Sequence, residues 1–377
     1  MNAPVLKVHN LTTLLGDHVK PVRAVDEVSF ELHAGRTLAV VGESGCGKSM
    51  TALSLMRLLP SGGRVSQGDV ILGDQSLLEL TEQQMRSVRG RRVGMIFQEP
   101  MTSLNPVMTI GEQIGESVRL HDDRVNSKKG VKQRVLDLLK DVGIPDPQRR
   151  FAEYPHQLSG GMKQRVMIAI ALAGRPDILI ADEPTTALDV TIQAQVLSLL
   201  KQLQQEKQMA ILLITHDLGV VAEMADDVAV MYAGQVIETA NVEQFFQTPR
   251  HPYSQKLFSS LPGRHKRGQA LAVLQGQVPA LTSTFERCRF YERCEQAVDA
   301  CETHLPPWQE ANPQHGYRCF NQQASLSAEA NETFNSDIES AAQSTSVSSQ
   351  SRALQLEQLQ VHFPIQKGIF KRTVGHV

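Results

Sequence analysis

The sequence predicts an α/β fold with a parallel core sheet, an antiparallel β flap and a helical subdomain, followed by a small cysteine-rich C-terminal segment. Three observations carry this. First, the apolar runs at residues 37–41, 177–181 and 210–215 are short and continuous, as in strands buried on both faces. Second, each run ends in residues that bear chemistry: a glycine-rich turn, the carboxylates Asp182 and Glu183, and His216. Third, residues 5–11 and 25–32 alternate apolar with polar, as half-buried strands do, and set a flap beside the sheet.

The first core strand runs into Gly42-Glu43-Ser44-Gly45-Cys46-Gly47-Lys48-Ser49 and then into the proline-free helical stretch 50–56. A glycine-rich turn between strand and helix is a phosphate cradle. Backbone N–H groups of Gly42, Glu43, Ser44, Gly45, Cys46 and Gly47 converge on phosphate oxygens, the helix dipole adds partial positive charge and Lys48 adds a full one. Ser49 is left to hold Mg²⁺ through its hydroxyl. Cys46 is foremost a small residue chosen for fit; its place beside Lys48 at a helix start, two influences that favour a thiolate, is the alternative.

Composition narrows the partners little. The 377 residues exceed one ordinary domain, and 38 Lys plus Arg nearly balance 40 Asp plus Glu, so no global field selects nucleic acid or membrane. No apolar stretch approaches the ~20 residues that span a bilayer, and the start lacks a basic region followed by an apolar one, so the chain is expected in the cytoplasm. The flap has no Phe, Tyr or Trp between residues 5 and 29 on which an adenine could stack. That leaves His18 or an aliphatic neighbour, and a solvated loop histidine is the plain reading.

Further along, residues 69–75 form a hairpin-like excursion, and the basic cluster 89–92 leads into a strand at 93–97. Gln98 stands at that strand's carboxyl end, where parallel sheets bind ligands, and is a candidate contact for metal and water. Apolar residues at helical spacing from Val131 to Val142, stopped by Gly143 and Pro145, mark a separate helical lobe. Ser159, Gly160 and Gly161 then cap and open a helix that continues through Gln164, a second anion-binding terminus. The strand that follows ends in Asp182 and Glu183, poor choices for a core without metal or water: Asp182 suits Mg²⁺ through water, and Glu183 suits polarising an attacking water. Asp189 follows closely, and His216 completes the set at the same sheet edge.

The ordered motifs GESGCGKS, FQEP, LSGGMKQR, ILIADEP, ALD and TH resemble the nucleotide-binding domain of ATP-binding cassette (ABC) transporters, a P-loop NTPase fold, over residues 1–260 with the helical subdomain at about 100–175. The resemblance implies that Gly42 to Ser49 is the Walker A loop and Gln98 the Q-loop, and that Ser159, Gly160, Gly161 and Gln164 belong to the signature. It further implies that Asp182 is the Walker B aspartate, Glu183 the catalytic base, Asp189 the D-loop and His216 the switch histidine, with ATP and Mg²⁺ as cofactors. Two cassettes then face head to tail, each ATP held between one Walker A and the other's signature.

Asn105-Pro106, Tyr154-Pro155-His156-Gln157 and His251-Pro252-Tyr253-Ser254 resemble the peptide and nickel importers, including dipeptide, oligopeptide and glutathione systems. This implies two transmembrane permease subunits, a periplasmic binding protein, a place on the cytoplasmic face of the inner membrane and no nucleic acid. A non-transport ATPase of the same fold, acting on nucleic acid or the ribosome, would share the core motifs but lack these flanks. Cys288, Cys294, Cys301 and Cys319 fall within segment 261–320, and clustered thiols in a cytoplasmic chain point to metal or redox chemistry. Their arrangement resembles the cysteine motif that holds a [4Fe–4S] cluster in some peptide-importer ATPases; zinc or four unliganded thiols are the alternatives. Residues 321–352, poor in large apolar side chains, read as a disordered linker. Residues 354–359 repeat the pattern of 6–11, so 353–377 reads as the opening flap of a second cassette, truncated, and too small to be stable alone.

Overall fold

A computed structural model describes residues 3–17, 21–98, 103–186, 188–259, 275–282 and 285–321, with backbone alone at 364–367 and 372–376. The chain opens with strands β1 (Leu6–Leu15), β2 (Val22–Leu32) and β3 (Thr37–Val41), helix α1 (Lys48–Leu55) and strands β4 (Arg64–Leu72) and β5 (Gln75–Ser76). Strands β2, β1, β4 and β5 pair in that order into the antiparallel flap that the alternating pattern predicts. One face of the flap is apolar, and Leu6, Val8, Val28, Phe30 and Val70 pack on it together with Leu55 of α1.

After α2 (Glu82–Val88) and β6 (Val93–Ile96) come the helices α3 (Ile110–His121), α4 (Lys128–Asp141), α5 (Pro147–Phe151) and α6 (Gly160–Ala171). Their starts are written in the sequence: Thr109 forms a capping box with Glu112, and the Ser127 and Ser159 hydroxyls accept from Gly130 and Met162 N–H. Helix α4 stops before Gly143, whose φ of 69° is open to glycine. The expected separate lobe is not separately cored. Ile114, Val118, Val135 and Leu139 bury in one continuous cluster with Val166 and with Leu179 and Ala181 of the sheet, because α6 carries apolar residues on several sides.

The rest is β7 (Ile178–Asp182), α7 (Val190–Lys207), β8 (Ala210–Thr215), α8 (Leu218–Met224), β9 (Asp227–Tyr232), β10 (Gln235–Asn241), α9 (Val242–Gln247), α10 (Pro252–Ser259), α11 (Asp299–Thr303), β11 (Trp308–Asn312) and β12 (His315–Arg318). The main sheet runs β11-β12-β10-β9-β3-β8-β7-β6, parallel from β9 to β6. Strands β3, β7 and β8 are buried throughout, as their apolar runs require. Their carboxyl ends share one edge, which brings the glycine loop, Asp182 and His216 together. The cysteine-bearing segment is built into this sheet: β12 pairs with β10 at Tyr317↔Glu238 and adds a hairpin to the ATPase core.

Residues 332–377 form a second unit, in which Pro364–Lys367 pairs antiparallel with Arg372–His376. The predicted strand at 354–359 and the linker at 322–352 lie outside the described residues, as does His18. Among the described residues no helix is long and apolar enough to cross a membrane.

Candidate functional site

The glycine loop is tight enough to exclude side chains. At Gly47, which caps α1 with φ 107°, a Cβ would stand 2.3 Å from the Ala24 carbonyl oxygen; at Gly42 it would stand 2.2 Å from that of Met231. Only glycine lets the backbone pass so close to β2 and β9. Lys48 is 5% exposed and folds across the loop, its Nζ donating to the carbonyls of Gly42 (2.7 Å) and Glu43 (3.0 Å). This keeps a cation where N–H donors converge, the cradle expected for a phosphate chain.

Opposite the loop stand the carboxylates. The Ser49 hydroxyl donates to Asp182 Oδ1 at 3.1 Å. Asp182 is 4% exposed, and its carboxyl is pushed up chiefly by burial, against the Ser49 hydrogen bond, with the neighbouring Glu183 charge adding to the rise. A buried carboxylate next to a hydroxyl is an oxygen donor set suited to Mg²⁺, so these residues fit the ion the motifs imply.

Glu183 behaves in the opposite way. Burial raises its carboxyl, but hydrogen bonds from His216, Thr186 and Gln98 outweigh that and hold it below the usual range. Gln98 Nε2 donates to Oε2 at 3.0 Å, the Thr186 hydroxyl donates to Oε2 at 2.9 Å, and His216 Nδ1 lies 3.0 Å from Oε1. Two adjacent carboxyls are thus driven apart: one is poised for a cation, and the other is ionised and aimed. The backbone at Glu183 is left-handed, φ 47°, and its N–H donates to the Ile214 carbonyl of the adjoining strand. Glu183, Gln98 and His216 line one cleft of about 380 Å³ with Gly42, Glu43 and Ser44.

The signature residues sit elsewhere. Ser159 and Gly160 are exposed, and Ser159 caps α6 as its sequence predicts. Gly161 is pressed against Ile192, where a Cβ would come within 2.6 Å. Gln164 turns inward, 1% exposed, and donates to the Pro184 carbonyl, while Asp189 accepts from Ile192 N–H as the cap of α7. None of these lines the cleft of Gly42 and Glu183.

Two expectations about cysteines change. Cys46 is fully buried, and desolvation pushes its thiol up despite the Lys48 charge, so it is a packing residue and the thiolate reading is withdrawn. Burial likewise raises Cys288 to about 12, Cys319 to about 11 and Cys294 above its ordinary value, with the neighbouring cysteines opposing ionisation further. The Cys288 N–H donates to the Cys301 carbonyl at 3.1 Å, and Cys288 also lies close enough to Cys294 and Cys319 for their charges to oppose its ionisation, so the four share one neighbourhood. Even so, no three His, Cys, Asp or Glu side chains among the described residues converge on a metal position.

Sequence reasoning missed what the His251-Pro252-Tyr253-Ser254 stretch does. His251 Nδ1 accepts from Tyr253 N–H at 3.0 Å, and burial lowers its pKa to about 4, against the pull of Glu238. Glu238, itself fully buried, accepts from the N–H groups of Arg250 and His251 and pairs with His315 at 2.7 Å. Tyr253, locked in this way, accepts the Glu43 N–H through its hydroxyl at 2.9 Å, gripping the glycine loop from behind.

A sequence profile described as ABC transporter matches residues 25–186, and one described as the C-terminal region of oligopeptide/dipeptide transporters matches 237–301. The oligopeptide transport ATP-binding protein AppD of Bacillus subtilis is 50% identical over 317 residues, 84% of this chain and 96% of AppD. The dipeptide transport ATP-binding protein DppD of Escherichia coli is 49% identical over 302 residues, 80% of this chain and 92% of DppD. A bacterial ABC transporter cassette solved as a dimer superposes with TM-score 0.57 at 27% identity, covering 63% of this chain and 98% of that one. The second profile match speaks against a non-transport ATPase of the same fold. The chain belongs to the ABC transporter family, as an ATP-hydrolysing subunit that carries the oligopeptide/dipeptide transporter C-terminal region.

Proposed function

We propose that this chain hydrolyses ATP to drive uptake of di- or oligopeptides, or a related small peptide, through two transmembrane permease subunits on the cytoplasmic face of the inner membrane. A periplasmic binding protein presents the cargo. The observation that carries the chemistry is Glu183, ionised and held between Gln98 and His216 across a cleft from the glycine loop. In this reading Gly42 to Ser49 cradle the phosphates, and Ser49, Asp182 and Gln98 hold Mg²⁺, which neutralises charge on the phosphates. Glu183 accepts the proton of the attacking water, and His216 orients it.

Ser159, Gly160, Gly161, Gln164 and Asp189 serve the nucleotide of a second cassette. That none of them lines this chain's own cleft supports that division, as does Val190, an apolar residue 84% exposed beside Asp189. Four cysteines in one segment support a metal site there, a [4Fe–4S] cluster or zinc; iron, zinc and acid-labile sulfide in anaerobically purified protein decide it. The function is tested by peptide uptake in cells carrying the chain with its permeases. Glu183→Gln is expected to abolish uptake while the complex still assembles; uptake at the normal rate overturns the proposal.

A further inference from the structure

The cysteine-bearing segment touches the glycine loop through one side chain. Arg293, closing the turn Tyr291–Arg293, donates from Nη1 to Glu43 Oε2 at 2.7 Å and from Nη2 to Oε1 at 3.0 Å, a two-pronged contact across 250 residues of sequence. Its Nε donates to the Gln275 carbonyl at 2.9 Å, and Nη1 also reaches the Tyr232 hydroxyl at 3.3 Å. The guanidinium lies against the rings of Tyr232 and Phe290, with centroids at 5.7 and 5.9 Å, and the side chain is 6% exposed. This is a fixed cation in an aromatic wall.

Glu43 is a costly residue for its place. A carboxylate in the turn that gathers donors for phosphates opposes the anion it serves. Arg293 cancels that charge, while Tyr253 holds the Glu43 N–H and Lys48 holds its carbonyl, so the residue is tied at three points. We propose that Arg293 is a positioning residue of the ATP site: by clamping and neutralising Glu43 it makes nucleotide affinity depend on the C-terminal segment.

A neighbour provides the internal control. Arg289, 5% exposed, ties the same segment to β2 through Asp26 and donates to the Ala233 carbonyl at 2.6 Å, yet touches nothing in the loop. The two arginines match in burial and each faces one carboxylate, Arg293 with two prongs and Arg289 with one; they differ above all in what they hold.

The inference rests on residues 42–49 being the phosphate loop, which Lys48→Ala tests separately. Binding of a fluorescent ATP analogue to the full chain is titrated beside its thermal midpoint. Arg293→Gln is expected to weaken binding about tenfold. Arg289→Gln is expected to lower the midpoint while leaving affinity within twofold. Adding Glu43→Gln to Arg293→Gln is expected to cause no further loss, since the partners act as one unit. Unchanged affinity in Arg293→Gln with clear loss in Lys48→Ala overturns the inference and spares the loop; no loss in Lys48→Ala removes both. Equal affinity losses in the two arginine variants, or fully additive losses in the double variant, reduce Arg293 to a structural tie and overturn it as well.

Discussion

At the carboxyl edge of the parallel strands, the proposed catalytic and metal-holding side chains follow strand ends within a residue or two, Gln98 after β6, Asp182 and Glu183 at β7 and His216 after β8, and Lys48 follows β3 across a single tight turn. In segment 275–321 no residue gains its importance in this way. Its side chains matter through partners on β2, β10 and the glycine loop, more than seventy residues away in sequence. Local order positions the chemistry, while long-range ion pairs and hydrogen bonds stiffen the loop it works beside. The two regions should therefore fail differently: damage at the edge stops turnover, and damage in the segment or its seat loosens nucleotide binding or the fold.

The largest expected effect is at the edge. Glu183→Gln removes the proposed proton acceptor and should lower the turnover of assembled transporter by about 10²- to 10⁴-fold while ATP still binds and holds the cassettes closed. Steady-state ATPase and nucleotide titration on one preparation check it; turnover within tenfold of the parent would give the proton to another group.

Next comes the seat of the segment, tested by pH. His251 has a pKa near 4 in the fold against 6.5 when free, so the unfolded chain binds the extra proton first. The stability tied to its neutral form is complete above about pH 6.5 and is lost as pH falls toward 4, to a total of about 3 kcal/mol. His251→Asn keeps an acceptor for Tyr253 N–H without the titration, so its midpoint should fall less between these pH values in thermal melts. Parallel curves would move the acid sensitivity to other groups.

Tyr253→Phe leaves the Glu43 N–H without its acceptor at a cost of about 1 kcal/mol, roughly fivefold in ATP affinity. If turnover fell and affinity did not, the grip on the loop would belong to catalysis, and the contrast between edge and segment would blur. The smallest effect is at Cys46. Buried and protonated, it should resist alkylation in the folded chain and react on unfolding, as mass spectrometry of labelled peptides will show. Rapid labelling of native protein would mean that the loop opens.

What was legible in the sequence divides along the same line. Apolar runs revealed the core strands, and the glycines revealed a loop that β2 and β9 press too closely for any side chain. Ser159 located the start of α6, whereas the Thr109 and Ser127 caps of α3 and α4 were passed over. The helical lobe was legible from its spacing, but not that its apolar face shares one core with the sheet, because spacing shows an apolar face and not what covers it. At Cys46 the sequence left two readings, a thiolate suggested by its neighbours and a small residue chosen for fit, and burial favours the second. Arg293 sits in a basic and aromatic stretch like many solvated ones, and nothing local distinguishes it from Arg289. Their partners lie hundreds of positions away and leave no periodic trace.

The left-handed backbone at Glu183 bears on how this ATPase can be altered. A glutamate does not choose that conformation; it costs about 1–2 kcal/mol for most side chains, and here the neighbouring strand imposes it through the Ile214 carbonyl. The socket belongs to the sheet, and the acid is only its occupant. Replacing the occupant leaves the socket standing, so an inactive version of this chain keeps the shape of the active one and still competes for its place in the transporter. One spoiled copy can then silence an assembly that also contains a good one.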